Sequence, residues 1–108
     1  MSRARDFYGA VLGLRLMDEG VYACMYDAGG TQLRVTAVDT VSPQPYTVLG
    51  WSVVDIATTV QALASGGVQF LRYPGMEQDD LGVWLSPSGA RVAWFEDPDR
   101  NVLSLTEF

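Results

Sequence analysis

The sequence predicts an α+β domain made of two similar units, each a short helix followed by antiparallel strands. Three observations predict it. Apolar spacing alternates between the helical period and the strand period along the chain. Gly13 and Gly67 each end a helical stretch and open an extended one, so the order of elements recurs. Between the two copies, Asp39–Pro45 holds two prolines and a serine and reads as a linker.

The elements follow in order. Phe7, Tyr8, Val11 and Leu12 form one apolar stripe, which predicts a helix over Arg3–Leu12 with Ser2 as its N-cap. Strands are predicted over Leu14–Glu19, Val21–Tyr26 and Thr31–Val38, separated by Gly20 and by Asp27-Ala28-Gly29-Gly30. After the linker comes a strand, Tyr46–Val54. Asp55 then caps a helix over Ile56–Ser65, with Ile56, Val60, Leu63 and Ala64 facing inward. Gly66 and Gly67 stop it. A strand over Val68–Tyr73, a polar loop over Pro74–Asp80, a short strand Gly82–Leu85 and a final hairpin of Ala90–Glu96 with Val102–Glu107 complete the chain. The second copy has a full strand before its helix. The first has only Met1 and Ser2 there, so it is expected to lack its opening strand.

Composition excludes several classes of function. The 108 residues suit one domain, and 48% hydrophobic against 19% charged residues is enough for a packed core. A formal charge of −6 argues against nucleic acid and against anionic membranes as partners. No apolar run approaches the roughly 18 residues of a membrane span. The single Cys24 rules out an internal disulfide and fits a reducing cytoplasm. With no histidine, the commonest metal ligand and neutral-pH base is missing.

The stretches "ARDFYGAVLGL", "VVDIATTVQALASGGVQF" and "WFEDPDRNVLSL" stand in the right order and spacing to resemble the vicinal oxygen chelate superfamily. This is the glyoxalase, bleomycin-resistance and extradiol-dioxygenase group. The resemblance implies paired βαβββ modules whose curved mixed sheets surround a cavity, and it implies a homodimer. It also implies where metal ligands stand in the metal-dependent members. The ending places the last glutamate ligand at Ser104, the second repeat places the histidine at Val48, and the third strand places the first repeat's glutamate at Arg34. The remaining ligand would lie on the strand missing before Ser2. Valine cannot coordinate, serine is a poor ligand, and arginine puts a fixed positive charge where a cation would sit. The metal site is therefore expected to be absent, and no cofactor is implied.

Strand parity then builds a ligand pocket. Gln32, Arg34 and Thr36 share one face of their strand, and Val48, Gly50 and Ser52 share a face of theirs. Ser104 lies with Val102 and Thr106 opposite Leu103 and Leu105. Glu107 has the other parity and should point elsewhere. Trp84 and Trp94 are aromatic walls against which a flat ligand would stack, although packing in a core or interface would serve them equally. Arg34 is either a surface or ion-paired residue or an anion or carbonyl contact with a ligand. No base stands beside Ser52 or Ser104, so no catalytic residue is assigned. The family usually has glycine where Arg100 stands. A left-handed backbone there would cost a side chain about 1 kcal/mol, so the turn is expected to adjust, with Arg100 pointing to solvent.

The expected function is metal-free binding of a small molecule, sequestering a flat aromatic or cationic compound. The alternatives are a glyoxalase-like metal-dependent lyase, isomerase or dioxygenase, and a module that binds no ligand.

Overall fold

The computed structural model describes residues 2–108; Met1, on which the expectation of a missing opening strand partly falls, lies outside them. The chain divides into two compact units, Met1–Ser42 and Pro43–Phe108, with the boundary inside the expected linker. The fold is α+β with few helices and two open, curved sheets.

The first unit opens on helix α1, Ser2–Arg5, which widens into a π-helical stretch, Asp6–Val11. Ser2 therefore lies inside the helix and is not its cap. The Leu12 N–H reaches back five residues to the Phe7 carbonyl, 2.8 Å away, and this wide turn brings Phe7 and Tyr8 inward together. Strands β1 (Arg15–Glu19), β2 (Ala23–Asp27) and β3 (Gln32–Thr36) form an antiparallel sheet in the order β1-β2-β3. Among the described residues both strand pairs of this sheet are antiparallel. Strand β2 starts later than expected because the Gly20 N–H closes a turn onto the Ala23 carbonyl, leaving Val21 and Tyr22 exposed.

Alternation assigns the faces. Cys24 and Tyr26 are buried and stand opposite Val35 and Leu33. Tyr26 packs against Tyr8 with ring centroids 6.2 Å apart, and its hydroxyl donates to the Arg5 carbonyl at 3.4 Å. Arg5 pairs with Glu19 at 2.7 Å, beside Cys24. The helix thus covers one face of this sheet.

The second unit is a complete βαβββ module. Strand β4 (Thr47–Ser52) runs into helix α2 (Ile56–Ser65), followed by β5 (Trp84–Leu85), β6 (Arg91–Glu96) and β7 (Val102–Glu107). The sheet order is β4-β7-β6-β5, with β4 parallel to β7 and the other pairs antiparallel. Helix α2 has its expected bounds. Asp55 accepts from the Thr58 backbone N–H at 3.2 Å and from the Thr58 hydroxyl at 3.0 Å. These bonds, the backbone one first, hold its carboxyl below the ordinary aspartate range. Glu107 reaches the same helix end, accepting from the Ile56 N–H at 2.9 Å, so it points away from Ser104 as parity requires. Beneath α2, Ile56 and Val60 meet a sheet face bearing Ala93, Phe95, Leu103 and Leu105, all buried. Trp51 stacks on Phe95 with centroids 6.5 Å apart.

Two expectations fail in this unit. The strand over Val68–Tyr73 is reduced to one bridge, Phe70 to Phe95, with a Leu71 N–H bond to the Trp94 carbonyl at 2.8 Å. Beyond Leu71 the edge is taken over by a side chain. The Gln78 amide donates to the Leu71 and Gly82 carbonyls at 2.9 and 2.8 Å, and its oxygen accepts from the Tyr73 N–H at 2.8 Å. The second failure is the turn after Glu96. It does not adjust around Arg100; Arg100 itself is left-handed, at φ 70°. Asp97 imposes this by accepting from the backbone N–H groups of Asp99 and Asn101 and from the Asn101 side chain, at 2.8–2.9 Å. The Arg100 side chain is 77% exposed, as expected.

Candidate functional site

In the first unit, Gln32, Arg34 and Thr36 line the face of β3 opposite Leu33 and Val35, as parity predicts, and all three are exposed. Met25 stands opposite Arg34, and Arg15 pairs with Asp27 at 3.4 Å on the same face. The Gly30 N–H and then Arg15 hold the Asp27 carboxyl below its ordinary range.

In the second unit, the sheet face turned away from α2 carries three rows of side chains. Gly50, Ser104 and Trp94 form the central row. Ser52, Thr106, Val92 and Trp84 form the next, and Thr47, Val102 and Glu96 form the third. Of the expected residues, Gly50, Ser52, Trp84, Trp94 and Ser104 therefore share one face. Val48 is the exception. The β4–β7 register slips between Thr47 and Leu49, so Val48 is the extra residue of a bulge and Thr47 takes the place opposite Val102.

The central row is tight. A Cβ on Gly50 would lie 2.5 Å from the Ser104 Oγ, and Ser104 is only 8% exposed. Glycine is thus required by close approach to Ser104. The Gly50→Ala variant is expected to lose about 1–3 kcal/mol, the usual cost of overpacking. Adding Ser104→Ala should return most of that loss. Urea denaturation of the two single variants and the double variant checks the coupling, and additive effects would contradict the contact.

The aromatic wall extends beyond the tryptophans. Trp84 and Trp94 are half-buried and tilt against each other with centroids 6.1 Å apart, and Tyr73 meets Trp94 edge-on at 5.4 Å. Burial, and after it the charge of Glu96, holds the Tyr73 hydroxyl above the ordinary phenol range, so it is a neutral donor at neutral pH. Beside Tyr73 an open cleft of about 430 Å³ is lined by Pro43, Pro45, Tyr73, Glu96, Arg100 and Val102, among others. The cleft is not part of the site expected from the sequence. Its signals were the strand parity that puts Glu96 on the face of Trp94, and the prolines assigned to the linker.

The donor set does not fit a divalent metal. The central position holds a hydroxyl wedged between Gly50 and Trp94, and Val48 has no donor and sits on a bulge. Among the described residues, no group of three or more His, Cys, Asp or Glu is placed to hold an ion. No reaction step through a metal follows from these residues. They offer stacking surface, hydroxyls and one carboxylate, which is the equipment of a binding site.

Comparison with known structures agrees on the fold. The glyoxalase family protein from Enterococcus faecalis superposes with TM-score 0.75 at 20% identity, covering 99% of this chain and 88% of that one. A member of the glyoxalase/bleomycin resistance protein/dioxygenase superfamily from Sphaerobacter thermophilus gives 0.72 at 26%, covering 99% and 87%. Lactoylglutathione lyase from Agrobacterium tumefaciens gives 0.72 at 16%, covering 98% and 84%. No curated protein matches the chain significantly. A family model matches residues 1–105, and together with the repeated helix-and-strand order and the complete βαβββ module it establishes that the chain belongs to the Glyoxalase/Bleomycin resistance protein/Dioxygenase superfamily.

Proposed function

We propose that the protein binds and sequesters a flat aromatic compound, cationic or neutral, without a metal. The observation that carries this reading is the row Gly50–Ser104–Trp94 with Trp84 beside it. Ser104, to which the resemblance gives the last metal-ligand position, carries a hydroxyl, and the indole of Trp94 stands beside it. A flat ligand would stack on the indoles, and Ser104, Ser52 and Thr106 would give it hydroxyl contacts at low desolvation cost. Gln32, Arg34 and Thr36 form an exposed polar face of their own on the first unit.

Indole fluorescence should report binding directly. A panel of planar aromatic compounds of different charge is expected to quench Trp84 and Trp94 saturably, with and without EDTA. Failure of every member to bind would overturn the reading. A stoichiometric divalent ion, removed by EDTA together with a turnover, would replace it with the metal-dependent lyase, isomerase or dioxygenase.

The reading includes a homodimer. Strands β3 and β4 are sheet edges, and β4 leaves Val48 half exposed. A solution mass of one 11.8 kDa chain would count against it. Among the described residues, no helix is long and apolar enough to cross a membrane.

A further inference from the structure

The cleft beside Tyr73 has an uneven chemistry. Apart from Gln44 and its charged groups, its lining is apolar or aromatic: Pro43, Pro45, Leu71, Tyr73 and Val102. Its charged groups are Glu96, Arg72 and Arg100. Arg72 keeps its positive charge but is held against the loop, donating to the Asp80 carbonyl at 2.8 Å and to the Gln78 carbonyl at 3.4 Å. Arg100 reaches Glu96 only at 4.0 Å, from a side chain 77% exposed, whereas the Glu96 side chain is 32% exposed. An ion pair this long and this wet holds its partners weakly. Glu96 is therefore a sheltered carboxylate with a loosely held counter-ion, at the end of an apolar trough. The trough joins the proposed binding face through Val102, which pairs with Glu96, and through the Tyr73–Trp94 contact.

We infer that Glu96 selects organic monocations, with the charged end of a flat ligand against its carboxylate and the body along Tyr73, and that Arg100 is a built-in competitor that the ligand cation displaces. This rests on the binding role proposed above and adds the charge class and its determinant. Tyr73 contributes through its ring face, where a cation is attracted electrostatically. The backbone at Arg100 fits the same picture. A residue with a side chain is kept in a left-handed position, and that side chain is the one that reaches Glu96.

Three isosteric probes separate charge from shape: benzamidinium, benzamide and benzoate. With the intact chain at low salt, benzamidinium is expected to bind at least fivefold more tightly than benzamide, with benzoate weakest. Raising NaCl to about 0.5 M should shrink that preference and leave benzamide unchanged. Glu96→Gln should bring benzamidinium down to the level of benzamide. Arg100→Gly, which suits φ 70°, should tighten benzamidinium about two- to threefold without moving benzamide. Equal binding of benzamidinium and benzamide by the unaltered protein would overturn the charge selection while leaving the proposed function standing. So would a preference that survives Glu96→Gln. Weaker benzamidinium binding in Arg100→Gly would overturn the competitor role. If none of the three binds, both the inference and the function beneath it fail. The salt titration uses the unaltered protein, so the charge test does not depend on either variant folding.

Discussion

Replacing Phe95 with alanine is expected to cost the second unit about 3–5 kcal/mol, the range found when a buried aromatic ring is deleted from a core. Phe95 is fully buried on the α2 side of β6. Its ring stacks under Trp51 at 6.5 Å and meets Phe70 at 5.4 Å, and its backbone forms the bridge to Phe70. Removing it opens a void between β6, β4 and the segment at Phe70, lined by groups fixed in the ladder and unable to collapse. A domain of this size has only about 5–15 kcal/mol in total, so the variant should melt far below the parent. Urea denaturation monitored by tryptophan fluorescence measures the loss. A cost below about 1.5 kcal/mol would mean that the sheet is not packed as described.

The second large effect is expected at Gln78. Alanine there orphans the Tyr73 N–H and the Leu71 and Gly82 carbonyls together. Leaving buried polar groups unpaired costs about 1–3 kcal/mol each, and these are only partly buried. A loss of about 2–3 kcal/mol is expected, with Tyr73 amide protection against hydrogen exchange falling in step. Gln78→Glu discriminates bonding from packing. It keeps the shape and the acceptor for Tyr73 but turns a carboxylate toward two carbonyls, so it should be no better than alanine. A near-neutral Gln78→Glu would refute the account. Because Tyr73 borders the cleft, either variant should also weaken the probes described above.

Elements whose signals are local were legible in the sequence. Helix α2 keeps its expected bounds because Asp55 caps it and Gly66 ends it. Strand β7 keeps its bounds because its apolar run follows the turn at Asp97. Face assignments held wherever strict alternation persists, as at Gln32–Thr36 and at Gly50, Ser52 and Ser104. What escaped depends on partners distant in sequence or on exceptions to period. Val48 slips because β4 bulges against β7, and a bulge leaves no mark in a run of apolar residues. Segment Val68–Tyr73 reads as a strand by propensity, yet a glutamine several residues later supplies the bonds that a ladder would have made. That glutamine lies within Pro74–Asp80, which the sequence assigns to a polar loop. Arg100 was expected to avoid the left-handed region, but the bonds gathered by Asp97 outweigh a strain of about 1 kcal/mol. The candidate site was legible as a face and not as a cleft, because Glu96 and Tyr73 come from elements whose placement is tertiary.

The parallel pairing of β4 with β7 has a kinetic consequence. Thr47 and Val102 must meet before the second sheet has its full width, although the helix and both other strands lie between them in the chain. Every neighbouring pair in the first sheet is joined by a short turn. Contacts between distant segments raise the entropic barrier and slow the search, whereas hairpins assemble on the microsecond scale. Refolding of the second unit should therefore finish with the docking of β4. Until then the flank of β7 is bare and open to capture by another chain, which makes this step the protein's point of greatest exposure to aggregation.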